Sequence, residues 1–136
     1  MSKKFELNII TPTDTFNYSD VEYLRAPSID GLFGVLSGHI SSIIALDVGE
    51  IKIVNNNKST RLATSGGFAD INEKNVTLVL ETAEEAINID IKRANESIDR
   101  AKIYINDKST DIKIALNSIK RAKNRIRISK KKKLIQ

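Results

Sequence analysis

Hydrophobic residues repeat at every second position early in the chain and at every third or fourth position late in it. Phe5, Leu7 and Ile9 alternate with Glu6 and Asn8, which predicts a half-buried strand over 4–11, stopped by Pro12. Phe16 and Tyr18 predict a short second strand, and Val21 to Ala26 a third that ends at Pro27. Ile29 to Ser41 reads as a glycine-bearing loop. Ile43 to Leu46, Glu50 to Val54 and Thr60 to Thr64 are strand-like, with Asn55 to Lys58 as a hairpin turn between the last two. Gly66-Gly67 marks a bulge or corner, and Phe68 to Ile71 and Val76 to Leu80 flank a turn at Asn72 to Asn75. Short strands separated by frequent turns predict an antiparallel sandwich or barrel.

From Ile89 to Ile126 the period changes. Ile91, Ala94, Ile98, Ala101 and Ile105 recur at spacings of three and four, and Ile112, Ala115, Ile119, Ala122 and Ile126 repeat them. Each set is one apolar stripe on a helix. Alanine alternates with isoleucine, so two backbones can approach closely. The polar link Asn106 to Thr110 is short, which makes the helices antiparallel neighbours. Ser97 to Lys102 resembles Ser118 to Lys123, which a shared packing surface explains as well as duplication would. The expected fold class is therefore α+β, a β-sandwich over residues 1–86 and a two-helix hairpin over 87–136.

Charge separates the two parts further. Residues 1–87 hold 7 Lys/Arg and 12 Asp/Glu, a balance of −5; residues 88–136 hold 15 and 5, a balance of +10, and together these give the net +5. The hairpin thus suits an acidic partner, a nucleotide, nucleic acid or a membrane surface, or else rests against its own acidic body. The absence of cysteine excludes disulfides and thiolate chemistry, and the single histidine, His39, excludes multi-histidine metal sites. No catalytic residue, metal site or required cofactor is expected. No apolar run of membrane-spanning length and no signal-peptide pattern is present, so the expectation is a protein without direct membrane insertion.

The stretch Asp30 to His39 carries three glycines. It is not a phosphate-binding loop, because no Gly-Lys-Ser/Thr ends it. One reading is a corner with His39 satisfied by backbone carbonyls. The other is a contact loop in which Leu32 and Phe33 await a partner.

Four motifs in order, Leu7-Asn8-Ile9-Ile10-Thr11-Pro12, Gly31-x-x-Gly34-Val35-x-x-Gly38-His39, Ser65-Gly66-Gly67-Phe68 and Ile89-Asp90-x-x-Arg93-Ala94, resemble the epsilon subunit of F-type ATP synthases. The resemblance implies a non-catalytic subunit of the rotating central stalk. It also implies contacts with the gamma subunit and the c-ring through Asp30, Leu32, Phe33 and His39. The hairpin would inhibit ATP hydrolysis by meeting catalytic beta subunits through Arg121, Lys123, Arg125 and Arg127. The implied location is the cytoplasmic side of a bacterial cell membrane, held peripherally. Many members carry an acidic residue where Leu32 stands and a proline where Ser37 stands, so here the c-ring contact leans on Asp30 or on apolar packing. In some bacterial members the Ile89 to Ala94 segment binds ATP. The resemblance then implies nucleobase contacts from Glu84, Ile89, Asp90 and Ala94 and phosphate contacts from Arg93, Arg100, Arg121 and Arg125, with ATP as a regulatory ligand.

The residues support a separate argument. Arg93 and Arg100 share one helical face, as do Arg121 and Arg125, and antiparallel pairing gathers the four toward the open end of the hairpin. Two unit charges about 8 Å apart repel by roughly 2 kcal/mol at an effective dielectric near 20. A polyphosphate reverses that sign through hydrogen bonds to guanidinium groups. The competing readings are that Asp90 only caps a helix and that the arginines are solvated. A basic nucleic-acid-binding module is the alternative function. The basic region holds only Tyr104 as an aromatic, so it lacks a stacking platform, and no nucleic acid partner is expected.

Overall fold

The computed structural model describes residues 3–106 and 112–135. Nine strands precede two helices: β1 (Phe5–Ile10), β2 (Thr15–Ser28), β3 (Gly31–Val35), β4 (Ser42–Leu46), β5 (Gly49–Asn55), β6 (Lys58–Thr64), β7 (Gly67–Ile71), β8 (Asn75–Leu80) and β9 (Ala83–Glu85). A 3₁₀ turn (Ala86–Asn88) then leads to α1 (Ile91–Asn106) and α2 (Ile112–Ile135). The strands follow the order β1-β8-β7-β4-β2-β5-β6-β9, and β1 also pairs with β2, so the path closes on itself around one core. Leu7, Ile9, Val21, Leu24, Ile51, Ile53, Leu62, Ile71 and Leu78 fill that core, all without solvent exposure. They are the inward positions of the alternating runs. The α+β architecture, with a sandwich before the helices, matches the alternation read from the sequence. One pairing is parallel rather than antiparallel: β1 runs alongside β8, with Leu7 opposite Val76 and Ile9 opposite Leu78.

Three differences from the expected strands have local causes. Residues 15–28 form one strand, not two. Between Leu7↔Tyr18 and Phe5↔Val21, β2 spends three residues against two on β1. Asp20 adopts a φ of 54° at this bulge, which breaks the alternation in the sequence without ending the strand. Pro27 does not stop β2 either. It stands opposite Leu32 of β3, and its carbonyl accepts the Asp47 N–H at 3.0 Å, so pairing continues on both sides of the proline. Residues 31–35, expected as loop, form β3, and β9 adds a short antiparallel partner to β6. The turn between β5 and β6 is as expected: Asn56 and Asn57 both take positive φ, 51° and 61°, as a two-residue hairpin turn demands. Gly67 starts β7 at φ 152°, where a Cβ would lie 2.0 Å from the Val79 carbonyl oxygen.

The hairpin is closed. Ala94, Ile98 and Ala101 of α1 pack against Ala115, Ile119 and Ala122 of α2, with Ile126 at the margin. The side chains of Ile105 and Ile112, and the link at 107–111, lie outside the described residues. α2 rests on the outer face of β5 and β6. Ile128, fully buried, enters a cluster with Ala63, Ala86 and Ile89. Tyr18 Oη donates to Glu85 Oε1 at 2.9 Å and ties β2 to β9. Burial first, and the adjacent carboxylate second, push this phenol well above its ordinary range.

Three outcomes follow from this packing. Gly67→Ala is expected to lower stability by at least about 2 kcal/mol in urea unfolding, because the backbone must move to admit the methyl group. Ile128→Ala is expected to cost about 2–4 kcal/mol of docking energy, seen as faster amide exchange along α2 with β1 to β8 unchanged. The Tyr18 contribution is intact below the unfolded phenol value of about 10 and is lost as pH rises above it. Thermal unfolding of Tyr18→Phe should therefore depend less on pH in that alkaline range than the parent does.

Candidate functional site

The β9 strand and the hairpin build one side of a cleft of about 280 Å³. Thr82 and Glu84 line it from the sandwich, Ser97 from α1, and Ser118, Arg121, Ala122 and Arg125 from α2. Glu84 stands opposite Ala63 on β6, which aims its side chain outward toward α2. Arg125 meets it with two parallel hydrogen bonds, Nε to Oε2 at 2.7 Å and Nη2 to Oε1 at 3.0 Å. This fork-to-carboxylate geometry is the strongest form of side-chain ion pair. Hydrogen bonding to Glu84 raises the affinity of Arg125 for its proton against the opposing effect of burial. Arg121 Nη2 reaches Ser118 Oγ at 3.3 Å on the same flank.

The remaining residues of the expected nucleotide set are placed differently. Asp90 is the N-cap of α1: its Oδ1 accepts the Arg93 N–H at 3.1 Å, and its carbonyl accepts the Ala94 N–H at 3.1 Å. Ile89 is buried against Ile128, and Ala94 is fully buried in the helix seam. Arg93 and Arg100 are exposed and do not line the cleft. They sit on the same flank of α1 as Ser97, one step further from the seam. The structure therefore brings together Glu84, Arg121 and Arg125. It leaves Arg93 and Arg100 at the rim and uses Ile89, Asp90 and Ala94 as packing and capping groups.

The basic set expected on α2 divides between two flanks. Arg121 and Arg125 face the cleft with Glu84, while Lys123 and Arg127 face the turn between β4 and β5. Lys120 Nζ approaches Asp47 Oδ1 at 3.4 Å. Two cations of the hairpin thus meet carboxylates of the sandwich, as the opposite charge balances of the two parts suggest.

At the other end of the molecule, Asp30 lies in the tight β2–β3 turn, its N–H donating to Ser28 Oγ at 3.1 Å. Leu32 is 66% exposed, whereas Phe33 packs partly onto the core. A ring nitrogen of His39 lies 2.7 Å from the Ile40 carbonyl. Ile29, Leu36 and Ile40 are also exposed nearby in the chain.

Strand register reveals a surface that the sequence did not. Ile10 stands opposite Val79, Val79 opposite Phe68, and Phe68 opposite Ala45, with Ile43 on the same outward face of β4. Ile10, Phe68 and Ile43 are 42%, 46% and 77% exposed, so an apolar row crosses four strands on the outside. The available signal was the doubled apolar pairs Ile9-Ile10 and Ile43-Ile44, which put one residue on each face. A second unforeseen feature is Glu50, 5% exposed, whose Oε1 accepts from Arg25 Nη2 at 2.9 Å and from Arg61 Nη1. Among the described residues no cluster of side chains could hold a metal ion, and no helix is long and apolar enough to cross a membrane.

Residues 4–86 match the family model described as the ATP synthase Delta/Epsilon chain beta-sandwich domain. The chain is 36% identical over 128 residues to an ATP synthase epsilon chain of Staphylococcus haemolyticus, covering 93% of this chain and 96% of that one. It is 40% identical over 102 residues to an ATP synthase epsilon chain of Nitratidesulfovibrio vulgaris, covering 75% and 76%. In fold it superposes on a chain of the Euglena gracilis mitochondrial ATP synthase, OSCP/F1/c-ring in rotational state 1, with a TM-score of 0.72 at 19% identity, covering 96% of this chain and 81% of that chain. A sandwich matched over its whole length, and relatives that extend through the helices, place this chain in the family of ATP synthase epsilon chains, which are non-catalytic subunits.

Proposed function

We propose that the chain is a rotor subunit of the central stalk of a membrane-bound ATP synthase, held peripherally on the cytoplasmic side of a bacterial cell membrane. It couples proton translocation to ATP synthesis, and its hairpin restrains ATP hydrolysis. The apolar row Ile10, Val79, Phe68, Ala45 and Ile43 supports a broad contact with the gamma subunit. The exposed Leu32, beside Asp30 in the β2–β3 turn, supports a contact of that end with the c-ring. When α2 leaves the sandwich, Arg121, Lys123, Arg125 and Arg127 become available to an acidic surface of the beta subunits.

The observation that carries the regulatory part is the Glu84–Arg125 pair at the mouth of a cleft between sandwich and hairpin. ATP entering there engages Arg121 and Arg125 with its phosphates, with Arg93 and Arg100 swinging in from the rim of α1. Because the ligand bridges α1, α2 and β9, it favours the closed hairpin by its difference in affinity for the two states. Release of the ligand returns the balance to the seam and the Ile128 contact alone.

Calorimetric titration of the full chain with ATP is expected to show one site, and Arg125→Ala to weaken it about tenfold or more, as loss of a charge-assisted hydrogen bond does. No heat and no thermal shift at millimolar ATP would remove the nucleotide from the account. Deletion of residues 88–136 is expected to leave assembly with the other stalk subunits intact and to raise ATP hydrolysis. Failure of the shortened protein to assemble would contradict the division of labour.

A further inference from the structure

The opposite flank of α2 holds a second cleft, of about 290 Å³, that is distinct from the Glu84 cleft. Val48 of the β4–β5 turn lines one side, and Lys120, Lys123, Asn124 and Arg127 of α2 line the other. The four helix residues fall at i, i+3, i+4 and i+7, so they form one stripe facing the turn. Three of the five lining residues are cations and none is an acid. The adjacent carboxylate, Asp47, is engaged through Oδ1 by Lys120 at 3.4 Å and by the Val48 N–H at 2.7 Å. Lys123 and Arg127 make no ion pair among the described residues.

Arg127 is held in place. Its Nη2 donates to Asn124 Oδ1 at 2.6 Å, and Asn124, 8% exposed, donates its Nδ2 to the Gly49 carbonyl at 2.8 Å. The backbone carbonyl decides which way the amide points, and the amide oxygen then fixes the guanidinium beside the cleft. Gly49 admits no side chain, because a Cβ there would lie 2.7 Å from the Pro27 ring. A concave wall with a pre-oriented guanidinium and two ammonium groups lowers the ordering cost of binding an anion.

We propose that this cleft binds a compact phosphoryl anion carrying two or more negative charges, either free in solution or as a lipid headgroup. The sandwich supplies Val48 and the Gly49 carbonyl, whereas α2 supplies the cations. The site is therefore whole only while α2 is docked, and an anion bound in it holds α2 down from the flank opposite Arg121 and Arg125.

The test is calorimetric titration of the full chain with pyrophosphate at physiological salt. One-site binding is expected. Paired Lys123→Gln and Arg127→Gln should weaken it at least tenfold, and Asn124→Ala, which keeps every charge, at least threefold. Arg121→Gln and a charge-matched pair on distant turns, Lys58→Gln with Lys74→Gln, should change it less than twofold, with folding of each variant checked by circular dichroism. Absence of binding overturns the proposal. An equal loss in the distant lysine pair overturns it as non-specific charge, and an equal loss in Arg121→Gln overturns it by assigning the binding to the other cleft. Co-sedimentation with vesicles containing cardiolipin, whose headgroup carries two phosphate charges, against phosphatidylcholine vesicles separates the sources. Retention lost in the Lys123/Arg127 pair identifies a lipid headgroup, and pyrophosphate binding without retention identifies a free anion.

Discussion

The sandwich and the hairpin are held together by a thin contact in which a single fully buried isoleucine, Ile128, enters a patch of two alanines and Ile89. Burying one such side chain contributes about 1.5–3 kcal/mol, a small quantity beside the core of sixteen buried residues inside the sandwich. The seam between the helices is similarly lean. Among the described residues its buried members are four alanines and two isoleucines, which pack closely but remove little apolar surface from water. Such a hairpin is a separable layer on a stable body, and its position is open to any influence of a few kilocalories per mole.

Electrostatics acts on the same scale. The hairpin carries an excess of cations and the sandwich an excess of carboxylates, and the closed form brings Arg125 to Glu84 and Lys120 to Asp47. These pairs are partly exposed, so their net value is modest and falls with salt. Glu84 here does for Arg125 what a phosphate would do. The closed state therefore has an internal anion at the mouth of the cleft, and the proposed nucleotide would have to offer the arginines more than one carboxylate does. That competition would set a threshold on the affinity of the proposed ligand.

Helical spacing and strand alternation carried most of the architecture into the sequence. The seam from Ala94 to Ala122 was legible because period and residue size agreed over two heptads in each helix. The core of β1 was legible because Pro12 and the alternation agreed. What escaped were features set by partners distant in the chain. Pro27 looks like a stop until β3 and Asp47 supply its neighbours, and Asp20 looks like a break until the bulge against β1 is seen. In the cleft, the acid and the arginine residues were legible as types, but the pairing of Glu84 with Arg125 depends on β9, a three-residue strand with no periodic signal. Asp90 shows the reverse case: its place at a helix start accounts for its hydrogen bonds completely. The outward apolar row was hidden because each of its members sits next to a core residue in the chain and adds nothing to the local pattern.

The hairpin is docked by a small margin, and in the proposed function an anion retains it. The chain has no cysteine, so spin labels can be attached at Leu116→Cys on the exposed side of α2 and at Asn57→Cys in the β5–β6 turn. Pulsed electron resonance between these labels is the direct measurement. Without nucleotide it should give two separations, one matching the closed form and one longer, and millimolar ATP should leave the short one alone. A single separation, unmoved by ATP and by salt, would contradict the claim that the closed state is held by so little.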